Sequence, residues 1–141
     1  MTTTQTNTLT LERTFDATKE ELYNAWIDPD VYQQWMNPAG IDLVVHEWDA
    51  REGGRVAFDM PQPDGNKNPQ SGMFHVLDPH DRIVTGEADK SFLIEVDFIG
   101  VNGRTTMRVT ITGLPAEHRE PATQGWNVCF DQLEALLAGV A

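Results

Sequence analysis

The side chains of this sequence best suited to chemistry are its four histidines, His46, His75, His80 and His118. An imidazole titrates near neutrality, so one held inside an apolar site can move a proton or hydrogen-bond a ligand. His46 and His75 fall in stretches that read as strands, and by alternation His46 shares a face with Trp48. The plainer reading of each is a histidine hydrogen-bonded within the core or on the sheet surface. His80 and His118 lie in polar loops and are expected to be solvated. Glu47 alternates away from His46, so that strand alone does not supply a histidine–carboxylate dyad. Glu95 and Arg108 are further strand polars, and Arg51 is expected to pair with a nearby carboxylate.

Other chemistries lack their signatures. The histidines are not at local metal-ligand spacings, so no metal and no cofactor is expected. There is no nucleophile elbow, no phosphate-binding glycine loop and no HExxH pattern. Gly53-Gly54 reads as a turn or bulge, because strands flank it and no helix start follows to meet a phosphate.

The elements that must position these groups are legible from periodicity. Residues 1–7 are polar and threonine-rich, a flexible N-terminus, and residues 8–141 read as one domain. From residue 8 to 15 the pattern alternates, with Leu9, Leu11, Arg13 and Phe15 on one side and Arg13 as the polar intruder. Thr18 and Glu21 form a capping-box pattern, and a helix follows with Leu22, Ala25 and Trp26 on its apolar face. Asp28-Pro29 stops it. A short second helical turn then carries Val31, Tyr32, Trp35 and Met36.

Residues 43–49, 55–60, 72–77, 82–85, 92–99 and 105–112 read as strands separated by turn residues. The connections are mostly too short for parallel crossovers, so an antiparallel meander is expected. Last comes a long amphipathic helix. Trp126, Cys129, Phe130, Leu133, Leu136, Leu137 and Val140 recur at helical spacing. Pro121 suits its first position, Gly139 its C-terminal cap, and Gly125 is an anomaly that close approach to a strand or loop would explain.

The expected fold class is therefore α+β, a curved antiparallel sheet of about seven strands with the C-terminal helix across it. Such a helix cannot fill the whole concave side, so the remaining space is either plugged by large side chains or left as a pocket. The rows facing it would be Val44, His46 and Trp48; Val56, Phe58 and Met60; Phe92, Ile94, Val96 and Phe98; and Met107, Val109 and Ile111, with Trp126 and Phe130 opposite. Core packing alone would account for all of them.

Composition bounds the partners. The 141 residues carry a net charge of −12, which disfavours nucleic acid and anionic membrane. No run approaches the roughly 18 apolar residues of a membrane span. The start, MTTTQTNT, lacks the marks of a secretory signal, and the lone Cys129 fits a reducing compartment, so a soluble cytoplasmic protein is expected.

Four stretches carry a resemblance to a known family. They are TFDATKEELYNAWIDPDVYQQW at 14–35, DAREGGRVAFDM at 49–60, DG at 64–65 with SGMFHVLDPHDRIV at 71–84, and Gly125-Trp126 opening a helix with Leu133, Leu136 and Leu137. The chain resembles the START-like superfamily of polyketide cyclases and lipid-transport proteins, in the branch named for the activator of heat-shock-protein ATPase homologues. Met36 stands where that branch often has a second aromatic after the tryptophan.

The resemblance implies a helix-grip fold, with the sheet wrapped round the C-terminal helix and a cavity between. It implies binding of a small apolar, lipid- or polyketide-like ligand, with Trp35, Met36, His46, Trp48, Phe58, Met60, Phe74, His75, Phe98, Met107, Val109, Trp126 and Phe130 as candidate lining residues. Two alternatives stand beside it: a cyclase- or hydratase-type enzyme using a strand histidine, and a chaperone- or protein-interaction module. The ligand, any protein partner and the oligomeric state stay open at this level.

Overall fold

The computed structural model describes residues 8–139. The N-terminal residues 1–7 and Val140, the last member of the apolar stripe, lie outside it. In chain order the elements are β1 (Thr8–Phe15), α1 (Lys19–Ile27), α2 (Pro29–Trp35), β2 (Val44–Trp48), β3 (Arg55–Asp59), β4 (Pro69–Asp78), β5 (Arg82–Gly86), β6 (Leu93–Val101), β7 (Arg104–Thr112) and α3 (Arg119–Leu137). A 3₁₀ turn, Ala116–His118, leads into α3. The strands form one antiparallel seven-stranded sheet in the order β1-β7-β6-β5-β4-β3-β2. This is the helix-grip arrangement, with two short helices after the first strand.

The local signals act as their chemistry requires. At the start of α1 the Thr18 hydroxyl accepts from the Glu21 N–H at 3.1 Å, and the Glu21 carboxylate accepts from the Thr18 N–H at 2.8 Å. Asp28 ends α1 and caps α2, its carboxylate accepting from the Asp30 N–H at 3.0 Å. At the far end of α3, Gly139 takes a positive φ of 79° and its N–H bonds Leu136 O at 3.1 Å. The helix begins at Arg119, two residues before Pro121, so the proline is its third residue rather than its first. Its missing N–H is costless there too, since the first-turn donors have no intrahelical partner.

Facing residues in the register share a side of the sheet. Leu9 opposes Ile111, Leu11 opposes Val109, Arg13 opposes Met107 and Phe15 opposes Thr105. Val96 opposes Ile83 and Val109, and Phe98 opposes Met107. These inward rows are buried against Cys129, Phe130 and Leu133 of α3 and against Leu22, Trp26 and Trp35 of the short helices. The polar intruder Arg13 has a defined role. Its guanidinium donates to Asp131 at 2.8 Å and Glu134 at 3.2 Å of α3 and lies 5.5 Å from the centre of the Phe130 ring. It thus holds the far half of α3 on β1. The outer face carries the opposite arrangement, a cross-strand row of alternating charge in which Glu12 faces Arg108, Arg108 faces Asp97, and Asp97 faces Arg82.

Two β-bulges break the alternation read from the sequence. In β2, Val45 opposes Phe58 and Glu47 opposes Ala57, leaving His46 as the extra residue. In β4, Phe74 opposes Thr85 and Val76 opposes Val84, leaving His75 as the extra residue. The first bulge turns Val45, rather than Val44 and His46, to the side of Trp48; Val44 is exposed.

Gly125 lies in the second turn of α3, and a Cβ built on it would meet only the Pro38 ring, at an ordinary 3.6 Å. Close approach therefore does not require glycine here. Replacing Gly125 with alanine is expected to raise stability by about 0.5–1 kcal/mol in urea unfolding, through helix propensity.

Candidate functional site: an aromatic cleft beside the second helix

The space between sheet and helices is filled by rings. Nine of them form one connected cluster running from Phe15 through Phe130, Trp126, Trp26, Trp35, Tyr32 and Trp48 to Phe58 and Phe74. Centroid separations within it run from 5.0 Å for Trp26–Trp35 to 6.4 Å for Phe15–Phe130. Three indole N–H groups are satisfied inside it. Trp35 donates to Ala25 O at 2.9 Å, Trp48 donates to Ile27 O at 2.8 Å, and Trp26 donates to the Met107 sulfur at 3.2 Å. Ala25 and Ile27 belong to the last turn of α1, whose carbonyls have no intrahelical donor. Two tryptophans, one from α2 and one from β2, therefore finish the end of α1.

Where this packing stops, a cleft of about 100 Å³ remains. Its walls are Trp26, Tyr32, Trp48, Val56, Phe58, Phe74, Phe92 and Ile94, with Gln70, Ser71, Thr85 and Glu87 contributing polar edge. Its floor passes over Gly72 and Gly86. A Cβ on Gly72 would stand 2.8 Å from Gly86 O, and one on Gly86 would stand 2.1 Å from Phe92 O. Both clashes are with backbone, so the close approach of chain segments at this edge of the cleft requires glycine at each position. No residue of α3 lines it; α1, α2 and strands β2–β6 do, with Glu87 and Phe92 from the β5–β6 turn.

Of the candidate lining residues, Trp48, Phe58 and Phe74 come together on this cleft, joined by Val56, Phe92 and Ile94 of the inward rows. Trp35, Met36, Phe98, Met107, Val109 and Phe130 are buried in the core. Trp126 stacks on Trp26 at 6.1 Å, and Met60 packs against the core just beyond β3. His46 turns outward, 55% exposed, with Nε2 3.1 Å from an Asp59 carboxylate oxygen. His75 donates from Nε2 to Glu87 O at 2.9 Å and is not among the cleft walls. Tyr32, Gln70, Thr85 and Glu87 line the cleft and were not singled out for it. Tyr32 had a visible signal in its place among tryptophans on a short helix, whereas Thr85 and Glu87 depend on pairing across β4–β6.

The remaining strand polars serve the outer face. Arg108 donates to Glu12 at 2.5 Å, and Arg82 bonds Asp97 at 2.6 Å and also Glu95. Arg51 pairs with Asp49 at 2.8 Å. Burial pushes the Cys129 thiol up to about 12, so at neutral pH it is a protonated packing group. Burial likewise raises the Tyr32 phenol, which stays neutral. A larger hollow of about 580 Å³ lies where the start of α1 meets the β6–β7 hairpin, but it is an open surface depression. Lys19 and Asp81, both in its wall, neutralise each other.

The chain matches the family described as Activator of Hsp90 ATPase homolog 1-like protein over residues 16–138. A solved protein from Chromobacterium violaceum is 27% identical, covers 93% of this chain and 96% of its own, and superposes with a TM-score of 0.84. A protein from Mycobacterium smegmatis at 23% identity, with 96% and 94% covered and a TM-score of 0.80, shares the fold. So does an AHSA1-like protein from Aeromonas hydrophila at 23% identity, with 95% of each chain covered and a TM-score of 0.76. No curated protein matches the chain. Among the described residues no helix is long and apolar enough to cross a membrane.

Replacing Trp48 with phenylalanine keeps a ring in the cleft wall but leaves Ile27 O without its donor. Stability is expected to fall by about 1–3 kcal/mol in urea unfolding. By sequence match over most of its length and by fold, the chain belongs to the family of Activator of Hsp90 ATPase homolog 1-like proteins.

Proposed function

We propose that the protein binds a small apolar molecule in the cleft between α2 and strands β3–β6. The observation that carries this reading is a ring-walled hollow persisting over two glycines in an interior otherwise filled by aromatic side chains. Apolar walls with a few convergent polar groups are the usual make-up of a small-molecule site. A volume of about 100 Å³ lies below the roughly 300–1,000 Å³ typical of drug-sized ligands. The occupant in this reading is therefore a single ring or short chain, rather than a long acyl chain or a multi-ring polyketide.

The fold is compatible with such a role, and the family resemblance supports it. The net charge of −12 favours a neutral or cationic molecule over an anionic one. We place this binding in the cytoplasm, where a lone buried thiol fits a reducing compartment.

Trp26 and Trp48 in the cleft wall provide an internal reporter. Titration with toluene is expected to change tryptophan emission saturably. Ile94→Phe, which adds bulk from the half-buried wall, is expected to weaken that binding at least tenfold. Emission that does not respond up to the solubility limit of toluene would set the reading aside.

A further inference from the structure

We propose that Tyr32 is the hydrogen-bond donor that selects the ligand of this cleft, and that the ligand is a neutral single-ring or comparably small compound bearing a carbonyl or ether oxygen. The inference rests on the reading of the cleft as a small-molecule site and names the class of molecule it takes.

Tyr32 comes from α2 and is 7% exposed. Its ring is held by Trp48, Trp35, Trp26 and Phe58 at centroid distances of 5.1, 5.6, 6.0 and 6.0 Å. The packing therefore fixes the ring without help from the hydroxyl. Among the described residues that hydroxyl makes no hydrogen bond, and burial raises its pKa, so it stays a neutral donor. The contrast with its neighbours is direct. The indole N–H groups of Trp26, Trp35 and Trp48, in the same cluster, each have an acceptor.

A buried phenol without a partner costs about 1–3 kcal/mol relative to one that is bonded, whereas phenylalanine would fill the same space at no such cost. Tyr32 lines the cleft, and the other walls around it are mostly rings and aliphatic side chains. Thr85, a half-buried polar group in the wall, already donates to Met73 O at 3.0 Å. The remaining buried phenol, Tyr23, packs on His80 and Phe98 with Asp78 and Glu52 nearby and is not a cleft wall. Gln70 and Ser71 stand at the exposed rim, so Tyr32 is the buried donor of the cleft without a partner, and such a donor beside apolar walls selects for an acceptor on an apolar body. The bound size follows from the volume, which is of the order of the roughly 150 Å³ cavity that accepts benzene.

The test compares acetophenone with ethylbenzene, which has nearly the same shape and lacks the acceptor, by NMR titration of wild type and Tyr32→Phe. Wild type is expected to bind acetophenone about fivefold more tightly than ethylbenzene, the worth of one neutral hydrogen bond. In Tyr32→Phe the two affinities are expected to converge within twofold, by loss of acetophenone affinity. The melting temperature of the ligand-free variant is expected not to fall, since no protein hydrogen bond is removed. Equal affinities in wild type, or a preference that survives in Tyr32→Phe, would overturn the donor role while ethylbenzene binding upholds the cleft. A clear drop in the melting temperature of ligand-free Tyr32→Phe would overturn it as well, by showing that the hydroxyl has a structural partner. Binding of neither compound would overturn the cleft reading and the donor role together.

Discussion

The structure depends on how the end of α1 is finished. This helix has nine residues, too few to be stable on its own, and its last carbonyls need donors. The Asp28 N–H serves Asn24 O at 2.9 Å, and the indoles of Trp35 and Trp48 serve Ala25 and Ile27. The two indoles come from α2 and from edge strand β2, so a local requirement of one helix end joins three elements. It also sets the positions of the rings. Once Trp35 and Trp48 are tied to α1, Trp26 and Tyr32 between them have little freedom, and the cluster extends to α3 through Trp126. The interior on the α3 side is filled as a result. The space that survives lies at the other end of the cluster, over the glycines of β4 and β5.

Polar ties complete the grip on α3. Gln132 donates to Trp35 O at 3.0 Å and to the side chain of Asn37 at 3.0 Å, holding the middle of the helix to the end of α2. Arg13 holds the adjoining turn to β1 through Asp131 and Glu134. Both carboxylates are largely exposed, so these pairs contribute orientation more than stability. The long helix is thus a wall of the filled part of the core. The cleft faces the short helices instead, a division of labour that follows from where the rings are pinned.

Much of the fold was legible in the sequence because its signals are local. The stripe from Trp126 to Leu137, the Thr18–Glu21 box and the alternation in β1, β6 and β7 each report periodicity that the neighbouring chain enforces. The bulges at His46 and His75 were not legible, because each is a mismatch in count between two strands and neither strand alone records it. They decide the histidines' surroundings, placing His46 beside Asp59 and His75 against Glu87 O. Arg13 was visible as an intruder on an apolar face, but its partners lie more than a hundred residues away. The cleft was the least legible feature. Its walls come from seven elements and a turn, and its position depends on which rings touch, which periodicity does not encode.

In the proposed binding mode the ligand lies among Trp26, Trp48 and Tyr32 and away from α3. The direct measurement is a ¹H–¹⁵N spectrum of the four indole N–H groups during titration with acetophenone. The signals of Trp48 and Trp26 are expected to move more than those of Trp35 and Trp126, because the first two are cleft walls and the other two are not. A largest shift at Trp126, or no shift of any indole at a saturating concentration, would contradict it.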